Sequence, residues 1–273
     1  MVTQQDINAF SSLKKMYENI YVIVSPPRCS STAFSRVFWE QPSIRYYSHE
    51  PFEVTYFEDS TLNEVIEKLE HPLDLLPIKS SETSKQSSGL VIKEMPYQVG
   101  SNFDLLISLT VHPIMFLIRD PRLNIHSRIT KKIEAEQDPR FPLVETGWEL
   151  ISHQVRYCQE RSIPYFIIDS VDFRTCPSDV FSKIFEQLHL PFSTEMLSWR
   201  ATPNVNLDNL GGHHSHLYTR VLESTGIEPA EERIPKLEEI PEDNGFRDHV
   251  IKCMEIYNNL RLEAKKNGCV VIS

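Results

Sequence analysis

The sequence has no long hydrophobic run. No stretch of its 273 residues approaches the roughly 20 consecutive apolar residues that a membrane-spanning helix needs. The first six residues, Met-Val-Thr-Gln-Gln-Asp, also lack the character of a signal peptide. We therefore predict no association with a membrane, and we expect a cytoplasmic location.

Cysteine is scarce, and its spacing does not match any pattern of metal ligands. The five cysteines are odd in number, which favours a reducing compartment. Three histidines in the segment 211–216 suggest a metal site at first, but no cysteine or carboxylate lies at a suitable spacing from them. We predict no metal, and we leave open whether His213, His214 or His216 contacts a ligand or has no function.

Positive charge is not in excess either. The chain has 28 Lys and Arg against 38 Asp and Glu, which gives a formal net charge of −10. A protein that binds nucleic acid or another polyanion should present a basic face, whereas the basic residues here are scattered. We therefore expect no nucleic acid and predict that the molecule on which the protein acts is small and neutral or cationic. The sequence does not predict an oligomeric state.

The most informative stretch of the chain is residues 21–38. A short apolar strand, Tyr21 to Val24, runs into Ser25-Pro26-Pro27 and then into an amphipathic helix. Between strand and helix lie a cation and hydroxyl-bearing residues, namely Arg28, Ser30, Ser31 and Thr32. The free N–H groups and the dipole of a helix N-terminus favour an anion, and hydroxyl and guanidinium groups add donors. The stretch therefore predicts a phosphate or sulfate site.

The loop is not a Walker A motif, because it contains neither glycine nor lysine. Its sequence Pro27-Arg28-Cys29-Ser30-Ser31-Thr32 resembles instead the 5′-phosphosulfate loop of the PAPS-dependent sulfotransferases. The chain departs from that family where Cys29 replaces a common serine and Ser30 replaces a common glycine. The resemblance implies that residues 28–32 bind the cofactor. A helix N-terminus beside Arg28 also predicts a lowered pKa for the Cys29 thiol.

A second motif lies at residues 113–128. The run Ile114 to Ile118 predicts a buried strand, and Asp120-Pro121 predicts the start of a helix. Arg119 ends the strand and Ser127 follows eight residues later, which resembles the family's element for the 3′-phosphate of the cofactor. An arginine at the carboxyl end of a strand lies where α/β proteins bind ligands. We expect Arg119, Arg122 and Arg128 to join Arg28 and Lys93 in a clamp for one nucleotide.

Strands alternate with helices along the chain. This pattern predicts an α/β fold with three layers, a mostly parallel central sheet and helices on both faces; the resemblance makes the fold P-loop-like. We predict a single domain over residues 1–273. Within it, the irregular segment 200–242 is too long for a structureless loop and is expected to cap the active site.

Two strand ends provide candidates for a general base. Glu50 follows the second predicted strand, and the resemblance to the glycan-modifying branch favours it as the base, with Lys93 holding the transferred sulfonate. Glu94 occupies the position of the histidine base of the cytosolic branch when the prolines are aligned. His49 is a third alternative.

The resemblance implies an enzyme that transfers a sulfuryl group from PAPS to a hydroxyl or amine of a small-molecule acceptor, with PAP as the product. Two alternatives stay open: an ATP-dependent small-molecule kinase and a non-catalytic nucleotide-binding scaffold. The Arg-Lys-Gly-x-x-Gly-Asp-Trp element of the cytosolic branch is absent. That absence leaves open how a cap would contact the cofactor.

Overall fold

Six strands form one sheet in the computed structural model, which describes residues 3–58, 60–79, 87–211, 217–229, 233–242 and 245–266. The order across the sheet is β3-β2-β4-β1-β5-β6, and only the β2–β3 pair is antiparallel. The strands are β1 Ile20–Val24, β2 Ile44–His49, β3 Leu73–Asp74, β4 Gly89–Glu94, β5 Ile114–Ile118 and β6 Tyr165–Asp169.

Helices surround the sheet. They are α1 Gln4–Met16, α2 Ser31–Trp39, α3 Glu53–Phe57, α4 Leu62–Glu70, α5 Pro96–Val99, α6 Phe103–Ser108, α7 Pro121–Glu134, α8 Trp148–Glu160, α9 Ser170–Thr175, α10 Pro177–Gln187, α11 Thr219–Glu223 and α12 Phe246–Lys266. The predicted α/β architecture with a mostly parallel sheet is confirmed.

The central strands are buried along their whole length. Every residue of β1, β4 and β5 is buried, as expected for parallel strands that are covered on both faces. Helix α2 packs on α10 through aromatic side chains, and the rings of Phe34 and Phe181 are 5.0 Å apart. This packing fixes α2 against the sheet and so fixes the loop that precedes it.

The spacing of the apolar residues predicts one helix over residues 52–70, and this prediction is wrong. The segment forms α3 and α4, with a break between Phe57 and Leu62. Ser60 and Thr61 lie in the break, and these residue types favour caps and turns over helix interiors. Several short elements were not predicted, among them β3, which has two residues, α5, and α9, whose N-cap Asp169 accepts a hydrogen bond from the N–H of Val171.

The segment 200–242 is largely irregular where it is described, as predicted. It contains α11 and a 3-10 turn at Leu237–Glu239, and its placement rests partly on the buried side chain of Arg36. Arg36 donates to the carbonyl of Arg200 at 2.8 Å and to the hydroxyl of Thr202 at 2.5 Å. The polar stretch 79–89 predicts a loop, but most of it, residues 80–86, lies outside the described residues.

Candidate functional site

The loop between β1 and α2 has an unusual backbone. Arg28 and Ser30 both adopt left-handed conformations, with φ of 63° and 59°. This region is costly for residues with a Cβ atom and favours glycine. Ser30 is the N-cap of α2, but its side chain makes no capping hydrogen bond. The first turn of α2 therefore keeps free N–H groups, which are available to an anion.

A cavity of about 900 Å³ adjoins this loop. It lies beyond the carboxyl ends of β1, β2, β4 and β5, which is where open α/β sheets bind ligands. The predicted site residues that line it are Arg28, Ser30, Ser31, Thr32, Glu50, Lys93, Arg119 and Ser127. The two sequence motifs therefore meet at one cavity.

Arg28 links the two motifs directly. Its Nε donates to Ser127 Oγ at 3.3 Å, and Arg119 Nη1 donates to the carbonyl of Arg28 at 2.6 Å. In the described part of the chain, Arg28 forms no ion pair with a carboxylate; Arg119 and Arg220 are the charged groups that act on it most strongly. Burial lowers the pKa of Arg28, and the positive charge of Arg119 lowers it further. An anion placed here would relieve this repulsion.

Arg122 and Arg128, two further cations of the predicted clamp, differ from Arg28 because each is neutralised by a carboxylate. Arg122 makes two hydrogen bonds to Asp120, at 3.0 and 2.7 Å, and does not line the cavity. Arg128 lines the cavity, but it contacts a carboxylate oxygen of Glu145 and donates to the Glu145 carbonyl at 2.8 Å. The expectation that Arg122 belongs to the clamp is therefore wrong.

Cys29 has a different environment from the one its sequence position predicted. Its side chain is fully buried, it does not line the cavity, and Sγ lies 3.7 Å from Asn124 Nδ2. Burial raises the pKa of its thiol to about 12, although the nearby charge of Arg119 opposes the change. The expectation of a lowered pKa is therefore wrong. Any contact of Cys29 with the cofactor is left to its backbone.

A second cluster surrounds the carboxylate of Glu50, which is fully buried. Lys93 Nζ contacts Glu50 Oε1, and Gln98 Nε2 donates to Glu50 Oε2 at 2.9 Å. His49 Nε2 lies 3.2 Å from Glu50 Oε1, while His49 Nδ1 is hydrogen-bonded to the Tyr47 hydroxyl at 2.6 Å. The parallel pairing of β2 with β4, with His49 opposite Lys93, produces this arrangement.

The charges around Glu50 stabilise its ionised form. Burial alone would raise the pKa of Glu50, but Lys93 and His49 outweigh it and hold the pKa well below the usual range. Glu50 also has a left-handed backbone, with φ of 49°. Strained backbone of this kind persists where the surroundings fix it and is often found at functional sites.

Glu94 and His49, the other two candidate bases, do not line the cavity. Both oxygens of Glu94 accept backbone hydrogen bonds, from Phe52 N–H at 2.8 Å and from Met95 N–H at 2.7 Å. Burial and the charge of Glu50 raise the pKa of Glu94 well above its usual value. Glu94 thus caps the chain turns on either side of the site. The ring of His49, which contacts Glu50, meets the ring of Tyr218 in an edge-to-face arrangement with centroids 4.7 Å apart.

Sequence reasoning missed several residues of the cavity wall. Gln98 lies on α5, and no pattern in Met95-Pro96-Tyr97-Gln98 distinguishes its amide from an ordinary helix residue. Tyr218 comes from the segment 200–242, which had too little periodicity to place. His213, His214 and His216 lie outside the described residues. Over the part of the chain that is described, no three His, Cys, Asp or Glu side chains are grouped to hold a metal ion.

Comparisons with known proteins agree with this geometry. A family model described as "Sulfotransferase domain" matches residues 20–262. A sulfotransferase domain from the curacin biosynthetic pathway is similar in structure, with a TM-score of 0.53 and 16% identity over 89% of this chain and 98% of that one. The sulfotransferase domain of the Synechococcus PCC 7002 olefin synthase gives a TM-score of 0.50 and 14% identity over 89% and 95% of the two chains.

Other comparisons are negative. No curated protein matches the sequence. Within the described ranges, no helix combines the length and the apolar character needed to cross a membrane. The structural neighbours, at their low identity, support the fold alone, whereas the family match covers most of the chain. The chain therefore belongs to the sulfotransferase family, whose reaction is sulfuryl transfer.

Proposed function

We propose that the protein transfers the sulfuryl group of PAPS to a hydroxyl or amine of a small acceptor and releases PAP. One observation carries this proposal: Arg28 has no carboxylate partner in the described structure, lies before the N-terminus of α2, and bonds to both Arg119 and Ser127. A cofactor with a phosphosulfate at one end and a 3′-phosphate at the other would engage both motifs at once. This placement supports the predicted roles of residues 28–32, Arg119 and Ser127 in binding the cofactor.

The charge of the cavity wall supports the same cofactor. Nine Lys and Arg and five Glu line the cavity, so its formal charge is +4 in a chain whose net charge is −10. PAPS carries about −4 at neutral pH, because its 3′-phosphate contributes up to about −2 and its phosphosulfate about −2. The cofactor alone would offset this charge, and Glu134 and Asp138, which pair with Lys131 and Arg140 of the wall, already reduce it. This balance leaves no surplus of positive charge for an anionic acceptor, which supports a neutral or cationic one.

The residues on the cavity floor have the chemistry that sulfuryl transfer needs. Bound PAPS supplies an activated sulfuryl group with a phosphate leaving group. Arg28 and Lys93 stabilise the negative charge that grows on the transferred and leaving oxygens. Glu50 accepts the proton of the acceptor, a role worth about 10²–10⁴ in rate. This step requires Lys93 to turn from Glu50 toward the anion, because the ion pair keeps the pKa of Glu50 too low for a good base.

Glu50 and Lys93 also favour an enzyme over a non-catalytic scaffold. Burying an ion pair costs several kcal/mol of desolvation for each charge, which a purely structural site could avoid with apolar side chains. An ATP-dependent kinase would need a Walker lysine, and the loop has none. The cytoplasmic location and the metal-free reaction stay predictions from the sequence.

The test is thermal stabilisation of the purified protein by PAP, compared with AMP, ADP and ATP-Mg²⁺. A ligand at a hundredfold excess over its Kd stabilises the folded state by about 2.7 kcal/mol. We expect a shift with PAP that AMP does not match, followed by PAP release when PAPS and an acceptor are supplied. A shift with ATP-Mg²⁺ alone would indicate a kinase. PAP binding without turnover of any acceptor would indicate the scaffold.

A further inference from the structure

The part of the cavity beside Glu50 is lined by aromatic, amide and carboxylate side chains. Its wall includes Glu53, Tyr97, Gln98 and Tyr218, whose side chains are all buried, and Phe57, which is exposed. The rings of Tyr97 and Phe57 are in edge contact, with centroids 6.4 Å apart. Aromatic rings and a carboxylate therefore meet at the place where the acceptor would approach Glu50.

Gln98 provides an unused hydrogen-bond acceptor in this wall. Its amide orientation is fixed, because Nε2 donates to Glu50 Oε2 at 2.9 Å and the flipped amide would set oxygen against oxygen. The side chain is 3% exposed, and its Oε1 has no hydrogen-bond partner among the described residues. A buried acceptor that is left unpaired costs free energy, which a ligand with a suitable donor would recover.

Glu53 provides a carboxylate in the same cavity wall. The N–H of Glu53 donates to the carbonyl of Glu50 at 3.0 Å, so the two residues share one tight turn. Glu53 is 1% exposed, and its Oε2 lies 3.4 Å from Asn209 Nδ2. Burial raises the pKa of the Tyr97 and Tyr218 phenols, and the charges of Glu50 and Glu53 raise it further, although Arg128 opposes them at Tyr97. The negative potential of both carboxylates thus reaches these rings.

These groups select for one kind of ligand. A carboxylate and an amide oxygen can only accept hydrogen bonds, and aromatic faces attract cations. An ammonium group has three donors and a positive charge, so it can donate to both kinds of oxygen while it lies against the rings. A carboxylate or phosphate on the acceptor would instead face Glu53 and the unpaired Gln98 oxygen.

We propose that the acceptor carries a protonated amine near its reacting hydroxyl, and that Glu53 and Gln98 bind this ammonium group within the rings of Tyr97 and Tyr218. This inference rests on the proposed sulfuryl transfer. The hydroxyl proton moves to Glu50 as the acceptor oxygen forms its bond to sulfur. The bond between sulfur and the bridging oxygen breaks, and its electron pair leaves with the 5′-phosphate. The ammonium stays protonated throughout and serves only for recognition.

The experiment compares acceptors that differ in one charge. Tyramine, 4-ethylphenol and 4-hydroxyphenylacetate share a phenol and carry a cation, no charge and an anion; aliphatic amino alcohols of two to four carbons and the matching plain alcohols form a second series. PAP release from PAPS is measured with each compound, and so is thermal stabilisation of the PAP-bound protein. We expect kcat/KM for the ammonium compounds to exceed that of their neutral partners by tenfold or more, with the anion poorest.

Glu53→Gln tests the residue, and Glu58→Gln is the matched control because Glu58 lies directly after α3, is exposed and does not line the cavity. Glu53→Gln should lower kcat/KM tenfold to a hundredfold for ammonium acceptors and less than threefold for neutral ones. Glu58→Gln should change neither. Stabilisation by PAP alone should be the same in both variants and in the parent.

The two proposals fail in different ways. If PAP does not stabilise the protein, the proposed function fails. If PAP stabilises it but ammonium compounds neither react faster than neutral ones nor add stabilisation, the acceptor inference is wrong while the proposed function stands. An equal loss for neutral and cationic acceptors in Glu53→Gln would likewise overturn the role of Glu53. The comparison of acceptors on the parent protein remains decisive if that variant fails to fold.

Discussion

Lys93 and Glu50 form an ion pair on the floor of the cavity, and both side chains are almost completely buried, at 1% and 0% exposure. The pair joins the ends of two adjacent strands, since the N–H of Glu50 also donates to the carbonyl of Lys93 at 2.7 Å. A buried pair is costly to break from one side, because the remaining charge is left without a partner. The pair keeps Glu50, the candidate base, and Lys93, the candidate ligand of the sulfonate, bound to each other until an anion binds.

Glu50→Gln should separate binding from turnover. The amide cannot accept the acceptor's proton, so we expect turnover to fall by about 10²–10⁴. PAP affinity should change little, because the predicted phosphate contacts lie on the loop and on Arg119. The measurements are PAP release from PAPS and thermal stabilisation by PAP. The variant should also lose about 3 kcal/mol of stability, since Lys93 remains buried without its carboxylate.

Glu94→Gln is the matched control for this experiment. It should lose stability by about 1–3 kcal/mol, because one of its two backbone hydrogen bonds would face an amide nitrogen. Its turnover, measured below the unfolding temperature, should stay within tenfold of the parent. If Glu94→Gln abolishes turnover while Glu50→Gln does not, the base has been assigned to the wrong residue.

The ion pair also predicts how stability depends on pH. The folded-state pKa of Glu50 is lowered, so its contribution is fully present above the unfolded value near 4.5 and is lost as the pH falls toward the folded value. The difference in free energy of unfolding between the parent and Glu50→Gln should therefore be constant above pH 4.5 and shrink below it. Urea unfolding of both proteins at several pH values measures this difference. A difference that persists unchanged in strong acid would contradict the lowered pKa.

Arg28→Ala should abolish detectable cofactor binding. The change removes a guanidinium with no carboxylate partner in the described structure, and charged hydrogen bonds of this kind contribute about 1.5–3 kcal/mol each. We expect the Kd for PAP to rise by at least about 100-fold, as measured by calorimetry. Arg122→Ala is the control, because Asp120 already neutralises that arginine outside the cavity. Unchanged PAP affinity in Arg28→Ala would argue against the whole interpretation of the loop.

Arg119→Ala should remove the discrimination between PAP and AMP, which differ at the 3′-phosphate. Arg119 is 7% exposed and lines the cavity beside Ser127, so a phosphate bound there would be desolvated and strongly held. The ratio of the two Kd values should fall toward one in Arg119→Ala and by less in Ser127→Ala. Because Arg119 also donates to the carbonyl of Arg28, some loss of AMP affinity is expected too. A preserved ratio would assign the 3′-phosphate to another residue.

The sequence was sufficient for the parts of the site that depend on local pattern. The sequence shows that Arg28 and Arg119 each follow the end of a predicted strand. Because these strands are parallel, the sheet brings both arginines to the same edge. Contacts between distant segments are different, because they depend on register. The pairing of His49 with Lys93 sets the Glu50 ion pair, yet nothing in either segment specifies that pairing.

Orientation was also beyond the reach of the sequence. Cys29 sits between two residues of the cavity wall, but the left-handed conformations of Arg28 and Ser30 accompany a thiol that faces the core. The position of Cys29 beside a helix N-terminus therefore predicted a lowered thiol pKa, whereas burial raises it. The amide of Gln98 was missed for a similar reason. Its Nε2 donates to Glu50 while its Oε1 has no partner among the described residues, and the sequence predicts neither fact.

Ser30, which replaces the glycine common in the family, is the subject of the last prediction. Its φ of 59° costs a residue with a Cβ atom about 1–2 kcal/mol, whereas glycine adopts this conformation freely. Ser30→Gly should relieve that strain and lose about 0.5–1 kcal/mol to the greater freedom of the unfolded chain, so its stability should equal or slightly exceed that of the parent. Ser30→Val should be less stable, because β-branched residues tolerate the left-handed region worst.

The PAP affinity of the Ser30→Gly variant shows which group binds the anion. An unchanged Kd assigns the contact to the backbone N–H groups, and a tenfold higher Kd assigns it to the Ser30 hydroxyl. Thermal unfolding with and without PAP measures both quantities, and equal stability of the glycine and valine variants would contradict the strained conformation.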